Sequence, residues 1–187
     1  MNKVTAIPRL LFVLALFILS FCFTPANSQS IANYAVTRTT GVAYSSILST
    51  GIPPGSWRNS GAFINDDNRS FPVDIGFNFW YDGARYTQLS ISTNGYVDFS
   101  ASAADGGPTG APYGYVNTQY SAPNGTLNAI APFYDDMTTQ GAVNPLGNSI
   151  RYLLTGGAPN RIMTIEWFNM AVYLNTTPSL NFQVKLH

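Results

Sequence analysis

Phe71-Pro72-Val73-Asp74-Ile75-Gly76-Phe77-Asn78-Phe79-Trp80-Tyr81 is the stretch whose reading settles the architecture. Phe71, Val73, Ile75, Phe77, Phe79 and Tyr81 occupy every second position, with mostly small or polar residues between them. Side chains alternate across a strand, so this spacing predicts a long strand with one buried face. Asp82-Gly83 follows, a pair suited to a two-residue hairpin turn that requires positive φ. The return strand, Arg85 to Ser92, sets Leu89 and Ile91 on one face. Asn94-Gly95 reads as a second turn of the same kind, ahead of Tyr96-Val97-Asp98-Phe99. A three-strand antiparallel meander follows from this segment alone.

Further strands are expected downstream. Leu127 to Pro132 reads as one, and Ile150, Tyr152 and Leu154 alternate in another. Gly156-Gly157-Ala158-Pro159-Asn160 then turns the chain into Arg161 to Phe168, where Met163, Ile165 and Trp167 share a face. Glu166 has the opposite parity, which predicts a solvent-facing side chain. Leu180, Phe182, Val184 and Leu186 alternate in the last strand. Ile31 to Trp57 is less regular and is assigned two short strands. With sixteen Gly and twelve Pro and no helical period after the first segment, the class is all-β. The expected form is an antiparallel β-sandwich, jelly-roll-like, preceded by an N-terminal signal-peptide helix. The last strand runs to His187 without a turn, and an unpaired apolar ribbon invites aggregation. The domain is therefore expected to be truncated at its C-terminal edge.

The first segment reads as an address. Met1 to Arg9 carries Lys3 and Arg9 and no acid, and an apolar run from Leu10 to Leu19 continues through Phe21, Cys22 and Phe23. Ala26-Asn27-Ser28 supplies a small-x-small exit. This is the pattern of a secretory signal peptide, with cleavage expected between Ser28 and Gln29. The apolar core is shorter than the roughly 20 residues of a membrane span. The division is then 1–28 signal peptide and 29–187 single β-sandwich domain, secreted or at the cell surface, with no stable membrane span after cleavage. Cys22 is the only cysteine, so the remaining chain has no disulfide available to it.

Nine basic residues against nine acidic ones exclude a nucleic-acid binder led by phosphate contacts. An aromatic content of 14% excludes a disordered chain.

Ile75-Gly-Phe-Asn-Phe79, Asp82-Gly83, Thr93-Asn-Gly-Tyr-Val-Asp-Phe99, Ile130-Ala-Pro-Phe-Tyr-Asp-Asp136, Ala158-Pro-Asn-Arg-Ile-Met-Thr-Ile-Glu-Trp167 and Asn181-Phe-Gln-Val-Lys-Leu186 follow one another in that order. Together they resemble a β-sandwich module of large secreted Bacteroidota proteins associated with type IX secretion. The stretches around Asn94-Gly95 and Ile130-Ala-Pro-Phe133 resemble, more distantly, the nidogen-type extracellular domain. The resemblance implies a module of surface or secreted proteins without assigned catalytic residues.

The chemistry of the residues points the same way. The single histidine is His187, and no cysteine survives cleavage, so a Ser-His or Cys-His pair lacks its base or its nucleophile. Zinc sites need Cys or His clusters and are excluded with them. A glycoside hydrolase needs two carboxyl groups about 5–9.5 Å apart, for which Asp135 or Asp136 with Glu166 is the available combination. No spacing demands it, and no enzyme is expected.

Two carboxylate pairs are candidate cation sites. Asn65-Asp66-Asp67-Asn68 and Asp135-Asp136 offer the oxygen density that Ca²⁺ takes. Neither has the D-x-D-x-D-G spacing of a dedicated loop, and both suit Asx-turns that need no ligand. No cofactor is required, and Ca²⁺ is the ion these loops would suit.

The aromatic candidates are Trp80, Trp57, Tyr113, Tyr115 and Tyr120. Trp80 has the outward parity of Asp74 and Asn78, and the others lie in Gly/Pro-rich segments where rings can be displayed. Exposed rings beside Asn and Asp suit sugar stacking with hydrogen bonds to hydroxyls. The competing reading has the long loop Ala101 to Pro123 fold over Trp80. Asn68-Arg-Ser70, Asn124-Gly-Thr126 and Asn175-Thr-Thr177 match the N-glycosylation acceptor, which carries no weight in a bacterial chain.

The expected function is a non-catalytic extracellular or cell-surface module for adhesion, structure or partner binding within a larger secreted protein. The alternative is a carbohydrate-binding module, and a carboxylate-based glycoside hydrolase stands behind it. A glycan or a surface protein is the expected partner.

Overall fold

The computed structural model describes residues 33–58, 67–99, 128–139 and 149–187. Ser28 and Gln29, Asp66, and the loop with Tyr113, Tyr115 and Tyr120 lie outside them. The described strands are β1 (Val73–Tyr81), β2 (Ala84–Ile91), β3 (Val97–Asp98), β4 (Ala129–Ile130), β5 (Met137–Thr138), β6 (Ile150–Thr155), β7 (Ile162–Val172) and β8 (Asn175–Leu186). One sheet runs β1-β2-β3-β4, and the second has β7 between β6 and β8 with β5 beside its C-terminal end. All these pairings are antiparallel.

The two sheets share one core, as a sandwich requires. Val73, Ile75, Tyr81, Leu89, Ile91, Val97 and Phe99 from the first meet Met137, Ile150, Met163, Ile165, Trp167, Met170 and Leu186 from the second. Trp167 locks the layers together: it is fully buried, its ring stacks on Phe182 at 5.0 Å, and its Nε1 donates to the Ser92 carbonyl at 2.8 Å. Its removal would leave a cavity of the kind that costs about 3–5 kcal/mol.

β1 follows the alternation expected of it, with Val73, Ile75 and Tyr81 buried against exposed Asp74, Asn78 and Trp80. It begins two residues later than the pattern suggests. Phe71 is left 44% exposed, with the Arg58 guanidinium 5.0 Å from its ring centre. The register with β2 shifts between Asp74 and Phe79, and Gly76 there has φ +86°. A side chain at Gly76 would press on the flexible end of Leu154 of β6, and it is the positive φ at the bulge that favours glycine.

The β1–β2 turn is as expected: Asp82 and Gly83 have φ 48° and 74°, which suits the right-handed twist of the flanking strands. The β2–β3 turn is one residue longer than expected. Ser92 N–H bonds the Tyr96 carbonyl at 2.9 Å, which leaves a three-residue loop, Thr93–Gly95, with Gly95 in the left-handed position.

Residues 33–58 form a strap over the sandwich, not the two strands expected. Ile52 exchanges two hydrogen bonds of 2.9 Å with Tyr152, and Trp57 makes an isolated bridge with Ser70. This strap overturns the expected exposure of Glu166. β7 is flanked on both edges, and residues 44–47 lie across its outer face, so Thr164 and Glu166 are buried along with the core-facing side.

Candidate functional site

The polar side chains fall into two buried nodes and one exposed face. The first node is Glu166, fully buried on β7. Its Oε1 accepts the Tyr44 hydroxyl at 2.6 Å and Gln183 Nε2 at 2.9 Å. Its Oε2 accepts the Ser46 hydroxyl at 3.1 Å, and the Ile47 N–H reaches both oxygens at 3.2 Å. Every one of these donors satisfies a group whose burial would otherwise be costly. Burial, and then the bond to Glu166, push the Tyr44 hydroxyl well above the usual phenol range. Glu166 thus ties the strap to β7 and β8.

The second node joins the first sheet to the approach of β5. Arg69 Nη1 and Asp98 Oδ2 form an ion pair of 2.5 Å with both side chains buried. Arg69 Nε and Nη2 are buried without a hydrogen-bond partner among the described residues. Next to this pair, Asn94 is fully buried and bridges two segments. Its Nδ2 donates to Asp67 Oδ1 at 3.0 Å, and its Oδ1 accepts the Met137 N–H at 2.9 Å. Thr93 joins them, accepting the Asn68 N–H at 2.9 Å and donating to the Asn68 carbonyl at 3.0 Å. Gly95 makes this closeness possible, since a side chain there would collide with the Phe133 carbonyl oxygen.

Asp67 and Asp136, read from the sequence as parts of separate candidate sites, therefore meet around Asn94. Burial, and then the charges of Asp67 and Asp135, raise the Asp136 carboxyl above its ordinary range. Asp135 Oδ1 accepts the Asp136 N–H at 2.9 Å, a local turn contact. Among the described residues no group of three or more His, Cys, Asp or Glu is arranged to hold a metal ion. Asn68, one of the three acceptor-motif asparagines, is fully buried.

The exposed face lies on β1 and β2. Trp80 is 60% exposed, as its parity predicts, and stands directly across from Arg85 in the strand register. An open groove of about 580 Å³ is lined by Asn33, Tyr34, Phe79, Trp80, Tyr81 and Ile130. A second, of about 460 Å³, is lined by Asp74, Gly76, Phe77, Asn78, Thr87 and Arg161. Trp57 is not displayed as expected: it is half-buried against the core. Sequence reasoning missed Arg85, whose partner across the hairpin was already fixed by the Asp82-Gly83 turn.

The family model described as NIDO related matches residues 33–187. The chain belongs to the NIDO-related family. No curated protein and no solved structure matches it. A NIDO-related domain is an extracellular type of module, which agrees with the nidogen-like succession of motifs. The match begins within the strap, so the Tyr44–Glu166 contact lies inside the NIDO-related domain. Among the described residues no helix is long and apolar enough to cross a membrane.

Proposed function

We propose that this NIDO-related domain is a non-catalytic binding module of a larger secreted or cell-surface protein, serving adhesion or partner binding. The observation that supports it most is the division of polar groups. Glu166, Arg69 and Asp98 are buried in internal bonds, while Trp80 faces solvent beside an open groove. A carboxyl group roofed by Tyr44, Ser46 and Ile47 is badly placed to flank a substrate, which speaks against the hydrolase reading. A bacterial source and type IX export accord with the motif order and belong to the same proposal.

Carbohydrate binding is the second reading, favoured by the exposure of Trp80. The test is an array of extracellular proteins and surface polysaccharides probed with the secreted chain, run beside chromogenic hydrolase substrates. Retention without turnover, weakened by Trp80→Ala at an unchanged unfolding midpoint, is the expected result. Turnover that disappears in Glu166→Gln or Asp136→Asn would overturn the proposal.

A further inference from the structure

We propose that the outer face of β1 and β2 binds a linear oligosaccharide containing uronic acid, with Trp80 as the stacking platform and Arg85 as the carboxylate partner. This rests on the binding-module reading and names its ligand class and place.

The geometry of the hairpin carries the inference. Trp80 and Arg85 are directly opposed in an antiparallel pair, both exposed, so their Cβ atoms stand about 5 Å apart on one face. Arg85 has no ion pair, hydrogen bond or ring contact among the described residues. Three other arginines are occupied. Arg58 lies over Phe71, Arg69 is paired with Asp98, and Arg161 Nη1 donates to the Gly76 carbonyl at 2.9 Å. A free planar guanidinium beside an indole face offers a carboxylate a bidentate partner and a ring a flat surface.

The shape of the site selects a chain over a small molecule. Asp74, Gly76, Phe77 and Asn78 line one groove and Phe79, Trp80 and Tyr81 the other, so β1 borders both. Both grooves are open, and a ligand laid along β1 would touch each. Asn78 and Thr87 supply an amide and a hydroxyl for sugar hydroxyls in the second groove.

The sign of the ligand is a local matter. Nine basic against nine acidic residues over the full sequence, with Lys3 and Arg9 among residues 1–28, leave no surplus of positive charge to draw a polyanion to the secreted chain. Asp74, the acid in the second groove, is held by Gln88 Nε2 at 2.8 Å, while Arg85 faces Trp80 without a partner among the described residues.

The experiment is calorimetric and fluorescence titration of the secreted chain with galacturonate, mannuronate and glucuronate oligosaccharides, and with a cello-oligosaccharide as the neutral probe. At least one uronate series is expected to bind and quench Trp80, about tenfold tighter than the neutral chain, with affinity falling as salt rises. Trp80→Ala should lose binding at least tenfold, and Arg85→Gln should lose about tenfold together with the salt dependence. Both residues are exposed, so unchanged circular dichroism is expected of each variant. Failure of all three uronates, equal binding of the neutral probe, or indifference to Trp80→Ala would overturn the inference. If a protein on the array is still retained by Trp80→Ala while no uronate binds, the sugar site falls and the module reading stands.

Discussion

The Tyr44 hydroxyl donates to Glu166 Oε1 at 2.6 Å, closing a contact between residues 122 positions apart. Tyr44 itself remains 48% exposed, so this part of the strap is held through its hydroxyl. A segment fixed in this way depends on its acceptor.

Glu166→Ala is expected to destabilise the chain by about 3 kcal/mol, because it leaves several donors without an acceptor. Glu166→Gln keeps one oxygen and should cost less. Denaturant unfolding gives the magnitudes. Limited proteolysis gives the location, with cleavage within residues 33–58 of the alanine variant well before the sheets are cut.

The Arg69–Asp98 pair makes the opposite kind of prediction. Asp98→Ala strands a buried guanidinium and should cost about 3–5 kcal/mol. The double variant Arg69→Met/Asp98→Leu removes both charges and should lose less than either single change. A double-mutant cycle of unfolding free energies measures this directly.

Gly95→Ala should destabilise by about 3 kcal/mol or more, combining left-handed strain with the collision against the Phe133 carbonyl. Gly55 has open space around it, so Gly55→Ala should shift stability by less than about 0.5 kcal/mol. Comparing the two unfolding midpoints separates a required glycine from an incidental one.

Alkaline pH should titrate three phenols late. Burial raises Tyr44, Tyr96 and Tyr134 above their ordinary value, with further help from Glu166 at Tyr44 and from Tyr96 and Asp67 at Tyr134. The unfolded chain releases these protons near pH 10 while the folded chain keeps them, so the folded state holds more protons above that point. Stability from these groups is complete below about pH 10 and is lost as pH rises further. Ultraviolet titration should show these tyrosinates forming at higher pH than ordinary phenols.

Much of the sheet was legible because strand periodicity is written locally. The alternation from Val73 to Tyr81, the Asp82-Gly83 turn and the shared face of Met163, Ile165 and Trp167 all reappear. Glu166 was misread for the same reason: parity assigns a face, and it says nothing of what lies upon that face. Its partners come from Tyr44, Ser46 and Ile47, in a segment with no period of its own. The meeting of Asp67 with Asp136 depends on the loop at Asn94 and was equally out of reach. Trp80 was legible because an outward ring within an otherwise regular strand breaks the pattern in plain view.

Central to this account is the separation of an internal polar frame from an external recognition face. The most direct measurement is the unfolding midpoint of Trp80→Ala, taken beside its retention on the extracellular array. A midpoint within about 0.5 kcal/mol of the parent chain, with retention lost, is the expected outcome. A large loss of stability with retention unchanged would place Trp80 in the frame and contradict the account.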